Sequence, residues 1–190
     1  MTNKAVFLDR DGTINYPVYN IESEEYEPPR TPEYLKLYPF AITSLKRLQD
    51  MGYLLFLISN QPDAAKGKNT MENLLSVHYK LQNILAENKI WFKDFYYCFH
   101  HPSVSECECR KPSPYFIKKA EKEYNLDLKE SWMIGDRETD VICGKEAGTK
   151  TIKLGNPKSK FADFTDADLE EAVEIIKFCD VIKVKKENKI

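Results

Sequence analysis

Short apolar runs alternate with amphipathic segments along most of the 190-residue chain. The runs are hydrophobic at nearly every position, which is typical of strands buried on both faces of a sheet. They predict strands at 4–8, 53–58, 92–98, 132–134 and 149–154. A three- to four-residue apolar repeat predicts helices at 40–51 and 70–88. A proline in the first turn marks a helix at 114–124, Gly148 closes one at 139–147, and a last helix is expected at 166–178. This alternation indicates an α/β domain whose parallel sheet carries helices on both faces.

The length of the chain is typical of one domain, which we expect to occupy residues 1–180. Residues 15–39 hold five of the ten prolines and show no clear period. Long irregular connections in compact domains are usually functional, so we predict an entrance loop there. The lysine-rich residues 181–190 are expected to form a flexible tail.

Polar side chains follow several of the predicted strands at the point where each strand ends. Asp9 and Asp11 come after the first strand, Ser59 and Asn60 end the second, and Asp136 follows the fourth. In open parallel sheets, ligands bind beyond the carboxyl ends of the strands. The sequence therefore predicts a polar site at this edge.

The pair Asp9 and Asp11 predicts a divalent cation, because two adjacent carboxylates repel unless a cation or a shared proton compensates them. Hard oxygen ligands suit Mg²⁺, and Asp136 would complete the site if its strand is a neighbour. A solvated Asp-Gly turn is the simpler alternative. A calcium loop starting at Asp9 would need glycine at its sixth position, where Ile14 stands.

Composition excludes several classes of function. A formal net charge of −2 gives no broad basic surface for nucleic acid. No apolar run reaches the ~18 residues of a membrane span, and no signal peptide is evident. We therefore expect a cytoplasmic monomer without nucleic-acid or membrane partners. Cys143, Cys179, Trp91 and Trp132 are expected to pack in the core.

Three of the five cysteines lie close together beside two histidines. An odd cysteine count without a secretion signal argues against a disulfide framework. Cys98, His100, Cys107 and Cys109 form two spaced pairs, which are suitable ligands for a closed, structural Zn²⁺ site. Free thiols in a polar loop are the alternative, and His101 is the rival histidine ligand.

Four ordered motifs resemble those of the haloacid dehalogenase (HAD) superfamily of phosphohydrolases, and they span residues 4–155. The matching segments are 7–13 (FLDRDGT), 57–60 (LISN), 110–112 (RKP, with Lys111) and 135–140 (GDRETD). The resemblance implies a Rossmann-like domain and a Mg²⁺-dependent phosphomonoesterase. It also implies that Asp9 is the nucleophile, forming an aspartyl-phosphate, and that Asp11 is the general acid and base.

The same resemblance assigns the ligands of the metal and of the phosphate. Mg²⁺ would be held by Asp9, by the backbone carbonyl of Asp11 and by Asp136. The non-bridging phosphate oxygens would be bound by Ser59, Asn60 and Lys111. Asp140 is expected to orient Lys111 or the metal shell and not to bind the metal itself.

The cysteine segment narrows the resemblance to the D-glycero-D-manno-heptose-1,7-bisphosphate phosphatases and the related histidinol-phosphate phosphatases. In these families a zinc loop, here residues 98–111, lies at the active-site entrance in place of a large cap domain. Arg110 would then reach the distal end of a small-molecule phosphate ester. In the heptose case that end is a second phosphate, and the pathway makes lipopolysaccharide or glycan precursors.

Two segments depart from the heptose pattern: residues 61–67 read QPDAAKG, and the loop 15–39 is longer than expected. Both are expected to border the entrance, so they bear on the substrate and not on the reaction. A histidinol-phosphate phosphatase, another sugar-phosphate phosphatase and a phosphatase for nucleic-acid ends stay as alternatives. An inactive phosphate-binding scaffold is the least favoured, because Asp9 and Asp11 are both present.

Overall fold

Strands and helices alternate through the computed structural model, which describes residues 2–187. The strands are β1 (Ala5–Leu8), β2 (Val18–Asn20), β3 (Glu25–Glu27), β4 (Leu54–Asn60), β5 (Phe92–Cys98), β6 (Trp132–Gly135), β7 (Lys150–Leu154) and β8 (Phe164–Asp166). The helices are α1 (Ala41–Asp50), α2 (Met71–Glu87), α3 (Tyr115–Tyr124), α4 (Glu138–Ala147) and α5 (Leu169–Glu187).

Six of these strands form one parallel sheet in the order β5-β4-β1-β6-β7-β8. The central strand β1 pairs Leu8 with Leu57 of β4 and with Ile134 of β6. The backbone N–H of Asp9 continues this pairing and donates to the Ile134 carbonyl at 3.0 Å. The three strand ends that carry the predicted site therefore lie side by side. The predicted α/β fold is confirmed, and it belongs to the Rossmann-like class.

Two hydrophobic cores cover the two faces of the sheet. Alternate residues of β1 point to opposite sides: Val6 packs in one core with residues of α1, α2 and α5, whereas Phe7 packs in the other with residues of α3 and α4. Phe7 also stacks on Phe56 with ring centroids 5.1 Å apart. Burial of apolar surface at ~25 cal/mol per Å² stabilises the strands from both sides and holds their carboxyl ends in register.

The segment 15–39 is more ordered than the predicted irregular loop. Strands β2 and β3 form an antiparallel hairpin that pairs Tyr19 with Tyr26, and a short 3₁₀ helix covers Pro32–Tyr34. The three-residue strands are too short for a period-2 pattern to be visible between the prolines. No large cap domain is evident in residues 2–187.

Other differences concern the C-terminal part and one tryptophan. Helix α5 continues to Glu187 and so takes in most of the segment predicted as a tail; residues 188–190 lie outside the described part. Trp132 is fully buried, but Trp91 is 61% exposed, so its predicted core position was wrong. Cys143 is buried and Cys179 is partly buried against the core. Residues 2–187 contain no helix with the length and hydrophobicity needed to cross a bilayer.

Candidate active site and metal centre

A cavity of about 530 Å³ opens at the carboxyl edge of the sheet. Seven residues predicted from the sequence line it: Asp9, Asp11, Ser59, Asn60, Arg110, Lys111 and Asp140. Asp136 instead lines a neighbouring cavity of about 400 Å³, although its carboxylate belongs to the same cluster as that of Asp9. The structure thus brings together residues that are up to 131 positions apart, counted from Asp9 to Asp140 (140 − 9 = 131).

Three carboxylates converge at the floor of this cavity. One oxygen from each of Asp9, Asp136 and Asp140 lies within 4.8 Å of the others. Asp136 Oδ1 is buried and has no hydrogen-bond donor among the described residues. An oxygen-rich cluster with an unpaired buried carboxylate oxygen fits a hard cation such as Mg²⁺. The carboxylate of Asp11 lies outside this cluster.

Gly12 makes the close approach of Asp136 possible. Its φ is +85°, and a Cβ at this position would lie 2.4 Å from Asp136 Oδ2. A side chain would therefore strain the backbone and also displace the carboxylate. The glycine after the paired aspartates is required by the geometry of the carboxylate cluster as well as by the turn.

The buried ammonium of Lys111 forms ion pairs with two of these carboxylates. Its ammonium lies 2.7 Å from Asp9 Oδ1 and 2.6 Å from Asp140 Oδ1, and it donates to the Ile58 carbonyl at 2.7 Å. Burial lowers the pKa of Lys111, but Asp140 and Asp9 outweigh burial and leave the pKa above its usual value. The contact with Asp140 agrees with the prediction that Asp140 orients Lys111.

The crowding of negative charge alters the protonation of Asp9. Burial raises the pKa of Asp9 to about 7, Lys111 opposes this effect, and Asp140, Asp136 and Asp11 add to it. Burial also raises the pKa of Asp136, again with a contribution from Asp140. A cation bound here would relieve the same repulsion, so protons and metal compete for these oxygens.

We therefore expect the affinity for Mg²⁺ to rise between pH 5.5 and 7.5. Below pH ~7 Asp9 is largely protonated and must release its proton to bind the metal, which weakens binding by up to about tenfold per pH unit. Above pH ~7 the dependence should flatten. Isothermal titration calorimetry at several pH values measures this effect. Asp9→Asn is the control and should remove most of the slope; an affinity independent of pH in the native protein would contradict the expectation.

Asn60 connects β4 to the segment that contains Lys111. Its Nδ2 donates to the Lys111 carbonyl and its Oδ1 accepts from the Lys111 N–H, both at 3.1 Å. This pairing leaves one Nδ2 hydrogen for other partners. The sequence predicted Asn60 only as a phosphate ligand; its bond to the Lys111 backbone depends on tertiary contacts that no local pattern shows.

Sequence reasoning also missed Arg10 and Gln61, which contact Asp11 from inside the protein. Arg10 Nε and Nη2 donate to the two oxygens of Asp11 at 3.1 and 3.0 Å. Gln61 Nε2 donates to Asp11 Oδ2 at 2.6 Å and to Ser59 Oγ at 2.9 Å. The position of Arg10 between two aspartates could have indicated its contact with Asp11, because a charged residue there must either reach solvent or pair locally.

The cysteine segment forms a compact cluster that directly precedes Arg110 in the chain. Cys98 Sγ lies 3.7 Å from Cys107 Sγ and 3.8 Å from His100 Nδ1, and Cys109 Sγ lies 3.5 Å from the same nitrogen. Tetrahedral coordination with Zn–S bonds of about 2.3 Å places sulfurs about 3.8 Å apart, so the four residues fit Zn²⁺. His101 is outside the cluster and bonds Ser103 Oγ at 2.7 Å.

This cluster is directly connected to Arg110, which lines the cavity, and to Gln61, which contacts Asp11. The Cys98 carbonyl accepts from the Gln61 N–H at 2.8 Å, and Arg110 Nη1 donates to the His100 carbonyl at 3.3 Å. Cys109 immediately precedes Arg110 in the chain. The fold of this loop therefore decides where Arg110 and Lys111 stand.

Cys107→Ser should lower the zinc content from about one ion per chain and raise KM several-fold, with a smaller effect on kcat, because the loop carries Arg110 but not the aspartates. Elemental analysis and steady-state kinetics on the same preparations measure both effects. Cys179→Ser is the control, since Cys179 lies outside the cluster. Full zinc occupancy in Cys107→Ser combined with Cys98→Ser would contradict a zinc site at these residues.

Charged residues from three segments surround the cavity mouth. The β2–β3 hairpin contributes Glu27, whose carboxylate pairs with Lys68 at 3.0 Å and with Arg30 at 2.6 Å. Lys66 also lines the cavity and has no carboxylate partner in residues 2–187. Desolvation lowers the pKa of the neighbouring His101, and Lys66 and Arg110 lower it further. Lys66 and Arg110 therefore both line this cavity and both lie close enough to His101 to act on its charge.

Several known proteins are similar to this chain in sequence and in fold. A family model described as HAD-hydrolase-like matches residues 108–173. D-glycero-beta-D-manno-heptose-1,7-bisphosphate 7-phosphatase of Helicobacter pylori is 35% identical over 181 residues, which cover 93% of this chain and 99% of that protein. D-glycero-alpha-D-manno-heptose-1,7-bisphosphate 7-phosphatase of Photorhabdus laumondii is 34% identical over 83% of this chain and 86% of that protein.

The architecture matches a solved structure as well. The crystal structure of D,D-heptose 1,7-bisphosphate phosphatase from B. bronchiseptica, complexed with magnesium and phosphate, superposes with a TM-score of 0.77 at 22% identity. The match covers 91% of this chain and 97% of that one. Fold, sequence and motif order agree: the chain is a phosphomonoesterase and belongs to the HAD-like hydrolases, in the family of phosphatases that these relatives represent.

Proposed function

We propose that the chain removes the 7-phosphate from D-glycero-D-manno-heptose 1,7-bisphosphate. One observation carries this assignment: a single cavity has the carboxylate of Asp9 at its floor and two cations, Arg110 and Lys66, at its mouth. A substrate with a phosphate at each end matches both features. The names of the sequence relatives support the same substrate.

In the proposed reaction, Asp9 attacks the phosphorus of the 7-phosphate. A bond forms between a carboxylate oxygen and phosphorus, and the bond from phosphorus to the sugar oxygen breaks. Asp11 gives its proton to the leaving alkoxide. In the second step Asp11 takes a proton from water, whose oxygen attacks phosphorus and releases inorganic phosphate and free Asp9.

The remaining residues of the site would bind the metal ion or the phosphate group. Asp9, the Asp11 carbonyl and Asp136 would hold Mg²⁺, which neutralises negative charge between nucleophile and phosphate. The Ser59 hydroxyl and the Lys111 ammonium would donate to the non-bridging phosphate oxygens. The free Nδ2 hydrogen of Asn60 can donate to the same group.

The distal phosphate would be bound by Arg110, whose planar fork suits phosphate, with Lys66 beside it. Histidinol phosphate, the second candidate, has an amine in place of a distal phosphate and would meet two cations there. We therefore infer a preference for the bisphosphate.

A substrate panel tests this proposal. Kinetic constants are measured with Mg²⁺ for heptose 1,7-bisphosphate, heptose 7-phosphate and histidinol phosphate. We expect the highest kcat/KM for the bisphosphate. Arg110→Ala should remove most of its advantage over the monophosphate, and Lys158→Ala, a lysine that does not line this cavity, is the control. Equal or better turnover of histidinol phosphate would overturn the assignment.

Several finer statements stay predictions from the sequence. They are the structural role of Zn²⁺, the monomeric state, the cytoplasmic location and the absence of nucleic-acid or membrane partners. We propose that the product serves as a precursor of lipopolysaccharide or a related glycan, since the names of the relatives give a heptose as the sugar.

A further inference from the structure

The Asp11 carboxylate is surrounded by buried hydrogen-bond donors. Oδ1 accepts from Arg10 Nε at 3.1 Å and from Asn15 Nδ2 at 2.9 Å. Oδ2 accepts from Arg10 Nη2 at 3.0 Å and from Gln61 Nε2 at 2.6 Å. Arg10, Asn15 and Gln61 are each at most 1% exposed, so none of them exchanges these contacts with water.

Gln61 links this carboxylate to the phosphate side of the cavity. Its Nε2 also donates to Ser59 Oγ at 2.9 Å, which leaves the Ser59 hydroxyl hydrogen free to donate elsewhere. Its backbone N–H is fixed by the Cys98 carbonyl at 2.8 Å. One amide group therefore sets the distance between Asp11 and Ser59.

Arg10 is held from behind by aromatic side chains. Its guanidinium carbon lies 6.0 Å from the centre of the Tyr97 ring, and the Tyr97 hydroxyl lies 3.1 Å from His78 Nδ1. The guanidinium fork binds both carboxylate oxygens at once, which prevents rotation of the carboxylate plane. Arg10 itself does not line the cavity that contains Asp9.

We propose that Gln61 and Arg10 are positioning residues that hold the Asp11 carboxyl at the angle at which it meets the leaving oxygen. The inference rests on the proposed role of Asp11 as the general acid. A general acid must stand within hydrogen-bond reach of the atom that it protonates. Displacement by about 1 Å can reduce a rate by about 10²-fold, and a carboxylate without these donors is free to rotate.

Comparing kcat for substrates with poor and good leaving groups tests this role, because a purely structural role would lower both rates equally. Gln61→Met removes the amide donor at similar length. We expect kcat for an alkyl substrate, glycerol 2-phosphate or a sugar phosphate, to fall about 10- to 100-fold. With p-nitrophenyl phosphate, whose leaving group needs little protonation, the loss should stay below about threefold. Arg10→Lys keeps the charge but removes the fork, and it should show the same selectivity.

Two further variants make the comparison complete. Asp11→Asn is the reference and should lose about 10²- to 10⁴-fold on the alkyl substrate and far less on the aryl one. Gln49→Met is the matched control: this amide also makes two hydrogen bonds, to Lys89 and Trp91, and it does not line the cavity. It should leave both rates unchanged.

Each outcome decides a separate point. Equal losses on both substrates in Gln61→Met, or no loss on either, would overturn the positioning role. The general-acid role of Asp11 would still hold in that case, provided that Asp11→Asn loses activity selectively on the alkyl substrate. Equal losses in Asp11→Asn itself would refute the general acid and with it the positioning role. If Gln61→Met does not fold, the same comparison in Arg10→Lys decides the question.

Discussion

Asp9→Asn should reduce phosphatase activity by about 10⁴-fold or more and leave the fold intact. The amide has the shape of the carboxylate but is a poor nucleophile, so no aspartyl-phosphate can form. Because burial and neighbouring carboxylates raise the pKa of Asp9 to about 7, its charged form is unfavourable in the metal-free protein. The neutral amide should therefore keep or increase the melting temperature above pH 7.

Steady-state phosphate release and thermal unfolding of the same preparation measure both effects. Asp94→Asn is the control, because Asp94 lies on β5 and does not line the cavity. Phosphate release from Asp9→Asn at more than about one-hundredth of the native rate would refute the assignment of the nucleophile. A loss of secondary structure in this variant would show that the carboxylate has a structural role that its contacts do not indicate.

Lys111→Met should have the second largest effect, because it removes the only ammonium between two buried carboxylates in the described part of the chain. Lys111 is 4% exposed and contacts both Asp9 and Asp140. Removing one partner of a buried charge cluster costs about 3–5 kcal/mol of unfolding free energy. Turnover should fall about 10²- to 10³-fold, since the proposed phosphate ligand is lost as well.

The loss of unfolding free energy in Lys111→Met should be larger at pH 8 than at pH 5. Without the ammonium the pKa of Asp9 rises further, so protonation relieves the repulsion at pH 5 but not at pH 8. Denaturant unfolding at both pH values measures this difference. Lys153→Met is a matched control: Lys153 is 3% exposed, but its ammonium bonds a backbone carbonyl, that of Leu154, and pairs with no carboxylate among the described side chains.

Combining Lys111→Met with Asp140→Asn separates the two roles of the lysine. Removal of one carboxylate should restore part of the unfolding free energy, because it reduces the unpaired charge. Activity should stay low, since the phosphate ligand is still missing. Recovery of both quantities would contradict a direct role of Lys111 in the reaction.

The sequence predicted the sheet and the floor of the cavity because both follow from short-range patterns. Continuous apolar runs identified β1, β4 and β6, and parallel pairing then places Asp9 beside Ser59 and Asp136. The Cys/His cluster was equally predictable from the sequence, since its four residues lie within twelve positions.

The parts that were missed depend on tertiary contacts. Arg10 resembles any polar residue between two aspartates, and its burial follows only from its pairing with Asp11 and its stacking near Tyr97. Trp91 was expected in the core, yet it stands in the connection between α2 and β5 and is exposed. The hairpin β2–β3 was missed because three-residue strands carry too little pattern.

The β2–β3 hairpin and residues 61–69 form one wall of the cavity. The charge contacts of Glu27 link the two segments to each other and to Arg30, on one wall of the cavity. Asp9 and Asp136, in contrast, follow strands anchored in both cores. Insertions or exchanges in the wall can therefore change which phosphate ester is accepted at little risk to folding or to the bond-breaking step, so substrate range and chemistry can evolve as separate traits.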